Sequence, residues 1–161
     1  MKPTIINLII FGIEKTGSEL IHQISKQPQS SVSIRIPMIT NDTVVFYEND
    51  KKPYSWNADF SNNSSQFTVD EVIESAYQLG LQNVIVVDTT NSKELTPKYK
   101  QFLEHQFDVI SVNDDAIQFP FKYKIKPAFL QQESSLEFVA QQSIDKTVQE
   151  LLERISAISQ S

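Results

Sequence analysis

The sequence predicts an α/β fold of three layers, a mostly parallel sheet with helices on both faces, and three observations carry that prediction. Thr4–Phe11 (TIINLIIF) and Asn83–Asp88 (NVIVVD) are continuous apolar, β-branched runs, the pattern of strands buried on both faces. Segments with helical spacing separate these runs from further strand-like stretches at 31–40 and 107–112. Glycine, proline and capping signals fall between the segments, so strand and helix alternate as they do in parallel sheets.

The elements follow in order. The first run stops at Gly12, and from Thr16 to Lys26 Leu20, Ile21 and Ile24 share one helical face, with Pro28 ending the helix. Ser31–Thr40 (SVSIRIPMIT) reads as a strand, in which Pro37 marks an edge position or a bulge. A short extended piece, Val44–Tyr47, comes next. Residues 49–66 have turn and loop chemistry, with Tyr54, Trp56 and Phe60 expected to pin a long loop onto the body. Thr68-Val69-Asp70-Glu71 is a capping box ahead of a helix carrying Val72, Ile73, Ala76 and Leu79, and Gly80 suits its C-terminal end. After the strand ending at Asp88, a helix is expected from about Leu95 to His105 and a strand over Phe107–Val112. Residues 116–130, rich in Phe, Pro and Lys, show no clean period. From about Ser134 the reading is helical, with Ile144, Val148, Leu151, Ile155 and Ile158 forming an apolar stripe for packing on the sheet.

Bulk properties narrow the function classes. The chain of 161 residues, 40% hydrophobic and 21% charged, suffices for one domain with a sizeable core. The expected organisation is a single unit over 1–161: a core of 1–117, then a Phe-rich segment and a C-terminal helix that packs back. A net charge of -6 argues against nucleic-acid binding, which needs a basic face. Without cysteine, disulfides and thiolate metal sites are excluded. No apolar run approaches the ~20 residues of a membrane span, and Met1-Lys2-Pro3 opens no signal peptide, so a cytoplasmic location is expected.

One motif speaks to chemistry. A strand, then Gly12-Ile13-Glu14-Lys15-Thr16-Gly17, then a helix repeats the spacing of the dinucleotide-binding turn G-x-G-x-x-G, which makes the fold Rossmann-like. The first and third glycines are present; the second, where backbone would approach a pyrophosphate, is Glu14. Its charge would repel phosphate at the positive end of the helix. Asp88, at the end of a strand where α/β sites form, is a further candidate. His22 and His105 have no ligand partners at metal spacing, Ser18 has no nucleophile context, and Asp114-Asp115 reads as a solvated acidic turn.

Several separated motifs in one order resemble the NAD(P)-binding domain of homoserine dehydrogenase, most closely the form fused to aspartokinase, over residues 4–117. Asn7–Ile24 (NLIIFGIEKTGSELIHQI) is similar to the family's strand, glycine turn and helix. Val84–Ala116 is similar to its strand, Asp-x-Thr-x-Ser, helix with Tyr-x-x-Phe-Leu, and strand closing in Asn-Lys-x-Ala. The resemblance implies NAD(P) as cofactor and places Gly12, Ile13, Thr16 and Gly17 in the cofactor turn, Asn41 after the second strand, Thr89 and Thr90 at the ribose and nicotinamide, and Asn113 in the Asn-Lys pair. It also exposes departures. Glu14 replaces a glycine, Asp114 replaces the family's nicotinamide-side lysine, and Thr40-Asn41-Asp42-Thr43 lacks the cation that would meet a 2′-phosphate. The 48 residues after Asn113 cannot hold the family's catalytic domain, given a minimum of about 50, although Ser135–Ser156 weakly resembles its returning strand and helix.

The expectation is therefore a non-catalytic pseudoenzyme with a binding or regulatory role and no catalytic residues of its own. The alternative is a nucleotide-binding sensor or residual NAD(P)-dependent oxidoreductase linked to aspartate-family amino-acid biosynthesis. Expected partners are another protein or a second copy of the chain, recruited or excluded by the segment around Phe119, Phe121, Tyr123 and Phe129, and not nucleic acid or membrane.

Overall fold

Alternation along β1 (Thr4–Phe11) sets up the architecture: Ile6, Leu8 and Ile10 join one apolar cluster, Ile9 and Phe11 another. A strand with apolar residues on both faces therefore feeds two cores, one on each side of the sheet. The computed structural model describes residues 4–26, 32–40, 44–47, 65–66, 68–118 and 135–159. The Phe-rich segment, Pro28, Asn41 and the aromatics of the 49–66 stretch lie outside them.

The remaining elements are α1 (Lys15–Lys26), β2 (Val32–Thr40), β3 (Val44–Tyr47), β4 (Ser65–Gln66), α2 (Val69–Gln78), β5 (Val84–Asp88), α3 (Tyr99–Glu104), β6 (Asp108–Ser111), β7 (Leu136–Phe138) and α4 (Ile144–Ser159). Among the described residues the strands form one sheet in the order β4-β3-β2-β1-β5-β6-β7. Pairing is parallel from β2 through β7, and β3 and β4 add an antiparallel margin. Helices α1 and α4 cover one face through Leu20, Ile21, Val148, Leu151 and Ile155. Helices α2 and α3 cover the other through Val72, Ile73, Ala76, Phe102 and Leu103.

Local signals explain most boundaries. The Thr68 hydroxyl accepts the Glu71 N–H at 3.2 Å, which opens α2, and Gly80 ends the helix with φ 66°. Pro37 marks a bulge and not an edge. Asn7 pairs with Arg35 and Ile9 with Met38, so Ile36 and Pro37 together face Leu8, and β2 has neighbours on both sides.

Two expectations need correction. The helix predicted from Leu95 to His105 divides into a 3-10 turn, Thr96–Lys98, and a short α3, with Pro97 in the first turn fixing the tighter start. The segment from Ser134 does not begin as helix. Leu136–Phe138 is a strand parallel to β6, tied by Val109 N–H to the Ser135 carbonyl at 2.9 Å and Val139 N–H to the Ser111 carbonyl at 2.8 Å. Three residues are too few for periodicity to distinguish strand from helix. Farther on, α4 buries Val148, Leu151 and Ile155 as the stripe requires, while Ile144 at its start stays exposed.

Candidate functional site

After β1 the chain moves outward to β2, then returns to the opposite side of β1 to form β5. The strand order reverses there, and the carboxyl ends of β1 and β5 border the crevice in which open α/β sheets bind ligands. Gly12 and Thr89 sit at that point.

Gly12 has φ 103°, open to glycine, and its N–H donates to the Thr40 carbonyl at 2.8 Å. A Cβ there would run into the Thr89 hydroxyl, and one on Gly17 would run into the Gly12 carbonyl oxygen. Both glycines are thus required by the close approach of α1 to the strand ends. The Ser18 hydroxyl donates to the Ile13 carbonyl at 2.5 Å, and the Ser18 N–H to the Glu14 carbonyl at 2.9 Å. Glu14 therefore stands at the cap position of α1, with its side chain exposed beside exposed Lys15. Ile13 and Thr16 are half-buried around the turn.

Thr89 closes the turn from the β5 side. Its N–H donates to the Phe11 carbonyl at 2.8 Å, and its hydroxyl lies 2.9 Å and 3.2 Å from the Phe11 and Gly12 carbonyls. Thr90 turns toward Asp88: its N–H reaches Oδ1 at 2.8 Å and its hydroxyl the same oxygen at 2.6 Å.

Asp88, fully buried, is the hub of a polar knot. Its Oδ2 accepts from the Tyr99 hydroxyl at 2.5 Å and from Asn113 Nδ2 at 3.2 Å. Tyr99 Oη is 2.7 Å from Ser111 Oγ, which accepts the Asn113 N–H at 3.0 Å. Asn113 Nδ2 also donates to the Ser92 carbonyl at 2.8 Å, and Asn113 Oδ1 accepts the Asp115 N–H at 3.1 Å. The Thr96 hydroxyl bonds to the Asp115 carboxylate. Burial pushes the Asp88 carboxyl above its ordinary range, and the hydrogen bonds from Thr90, Tyr99 and Asn113 offset part of that. Burial, reinforced by the Asp88 charge, drives the Tyr99 hydroxyl upward as well.

The sequence-derived residues lie at the carboxyl ends of β1, β5 and β6, with Asn41 outside the described residues. Gly12, Ile13, Thr16 and Gly17 make the turn from β1 into α1, packed against Thr89; the side chains of Thr89, Thr90 and Asn113 are bonded inward to protein groups. Asp114 is exposed on the 3-10 turn Asp114–Gln118. His22 is on the surface, and exposed His105 meets the Tyr77 hydroxyl through Nδ1 at 2.8 Å. Sequence reasoning missed Tyr99 and Ser111. The signal for Tyr99 was its place on the apolar face shared with Phe102 and Leu103, where a buried hydroxyl must find a partner.

Sheet order, glycine turn and switch-point crevice together define a Rossmann-type dinucleotide-fold protein. Residues 12–125 match the profile of the homoserine dehydrogenase NAD-binding domain, and the chain belongs to that family. A bifunctional aspartokinase/homoserine dehydrogenase of Buchnera aphidicola is 28% identical over 116 residues, covering 69% of this chain and 14% of that protein. Among solved structures, a hyperthermophilic archaeal homoserine dehydrogenase in complex with NADPH aligns with TM-score 0.62 at 17% identity over 84% of this chain and 44% of its own. The homoserine dehydrogenase of Thermoplasma acidophilum gives TM-score 0.62 at 13% identity, covering 84% and 43%. That of S. aureus gives 0.58 at 15% identity, covering 94% and 43%. The chain therefore spans about one seventh of that curated relative and under half of each of these solved chains. No helix among the described residues is long and apolar enough to cross a membrane.

Proposed function

We propose that this chain is a non-catalytic member of the homoserine dehydrogenase NAD-binding family, acting by binding or regulation instead of by hydride transfer. The observation that carries the reading is Glu14. It occupies the middle position of the glycine turn, at the cap of α1, with an exposed carboxylate where a pyrophosphate would need bare backbone. The residues present do not fit an ordinary pyrophosphate pose.

Two further features agree. Asp114 puts a negative charge where the resemblance places a lysine. Residues 119–135 are all that separate the turn ending at Gln118 from β7. That is far below the ~50 residues of a small domain, so no catalytic domain intervenes between the crevice and the returning strand and helix. A protein partner or a second copy of the chain is the proposed ligand class.

The second reading, a nucleotide-binding sensor, draws on the intact turn: Gly12 keeps its positive φ, Gly17 keeps its close approach, and Lys15 lies beside Glu14. An assay for homoserine oxidation with NAD and with NADP tests the main proposal. No turnover is expected from the folded protein, and clear turnover would overturn it.

A further inference from the structure

Helix α2 presents an outer face on which charge and apolar surface are segregated. Asp70, Glu71, Glu74, Tyr77 and Gln78, all exposed, recur at the spacing of a single helical stripe. The stripe begins in carboxylates and ends beside two large apolar side chains, Tyr77 at 58% exposure and Leu79 at 57%. Asp70 and Glu71 suit the first turn, where a helix favours negative charge. Glu74 lies beyond that turn, and Tyr77 and Leu79 keep apolar area in water that a partner could cover.

Tyr77 is also held in place. Its hydroxyl meets His105 Nδ1 at 2.8 Å, and its ring stands edge-on to the His105 ring with centroids 5.3 Å apart. The Phe107 ring lies 6.4 Å away, centroid to centroid. An exposed aromatic ring fixed along one edge is a preorganised anchor, because docking against it forfeits little side-chain entropy.

Charge defines what fits there. No Lys, Arg or His occurs between Lys52 and Lys93, so α2 and the turn after it carry no positive charge. Among the described residues no cation is ion-paired with Asp70, Glu71 or Glu74. Glu104, next to His105, has Lys100 at 3.8 Å, so the unbalanced charge is that of α2. The last turn of α2 has no basic residue to meet the partial negative charge of its final carbonyls. A second copy of the chain, with a net charge of -6, would bring like charge to this face.

We propose that the outer stripe of α2 is a docking surface for a basic segment of another protein. That segment lays Lys or Arg along Asp70, Glu71 and Glu74 and seats an apolar side chain against Tyr77 and Leu79.

The inference deepens the proposed function, because it rests on the chain acting by binding a protein, and it names the surface and the partner's chemistry. A random peptide library displayed on phage is selected on the whole chain, and enriched peptides are then followed by amide NMR shifts. Enriched sequences should carry Lys or Arg next to aliphatic or aromatic residues. Their binding should move the amides of 70–79 and 105–107 and leave those of 12–17 in place. Leu79→Ser, at an exposed position, should weaken binding by about tenfold or more while the variant still melts cooperatively. Glu71→Gln combined with Glu74→Gln should weaken it too and flatten its dependence on salt. A selection that enriches no basic peptide, shifts centred elsewhere, or affinity indifferent to Leu79→Ser would overturn the docking surface. So would self-association of the chain that Leu79→Ser abolishes. Turnover with homoserine would sink the non-catalytic reading and leave the peptide results standing, so the two failures are distinguishable.

Discussion

At Gly17 there is no room for even a methyl group, because a Cβ would meet the Gly12 carbonyl oxygen, an atom fixed by the turn. Gly17→Ala should therefore lower stability by at least about 2 kcal/mol, since backbone must move to relieve the overlap. Gly80 has open space around it and only a positive φ to defend. Gly80→Ala should cost about 1 kcal/mol, and calorimetric melting of the two variants checks the order. Asp88 calls for a prediction in pH. Its folded-state value lies above the ordinary 3.8, so folded protein holds more protons than unfolded protein between those values. The contribution of this carboxyl to stability is full below 3.8 and declines as pH climbs through the folded-state value. Asp108, also raised by burial, has the same sign and is common to wild type and variant. Denaturant melts should find wild type's advantage over Asp88→Asn larger at roughly pH 4 than at pH 7.

Among the elements, legibility in the sequence tracked length and the strength of local signals. Strands β1 and β5 were readable because apolar residues run along both of their faces, and α2 because its cap is written in four residues; the Thr68–Glu71 bond matches that reading. Thr68→Ala should cost about 1 kcal/mol of stability, measurable by denaturant unfolding. Strand β7 was not readable from its local pattern, only through the resemblance of 135–156 to a returning strand and helix. Its three residues gain their identity from pairing with β6 and from Arg154 of α4, which meets the Glu137 carboxylate at 2.9 Å, contacts a local pattern does not contain. That ion pair is partly exposed and contributes well under 1 kcal/mol. The candidate site was legible in a similar, uneven way. The glycine turn and the strand ends were marked by spacing and by resemblance. The inward orientation of Thr90 and Asn113 was not, because it depends on Asp88, Tyr99 and Ser111 meeting from three separate elements.

For the molecule as a whole, a fold that aligns with homoserine dehydrogenases over most of its length carries two exposed carboxylates at the carboxyl edge of its sheet, Glu14 in the glycine turn and Asp114 after β6. The strand and helix that close the sheet, β7 and α4, follow the turn ending at Gln118 after residues 119–135. If Glu14 is what bars the cofactor, Glu14→Gly should confer NAD(P) affinity on a chain that otherwise lacks it, with no loss of melting cooperativity. The most direct test of the account is calorimetric titration of the unmodified protein with NAD, NADH, NADP and NADPH. The account predicts no binding heat with any of the four from a protein that melts cooperatively, and micromolar binding of any one of them would contradict it.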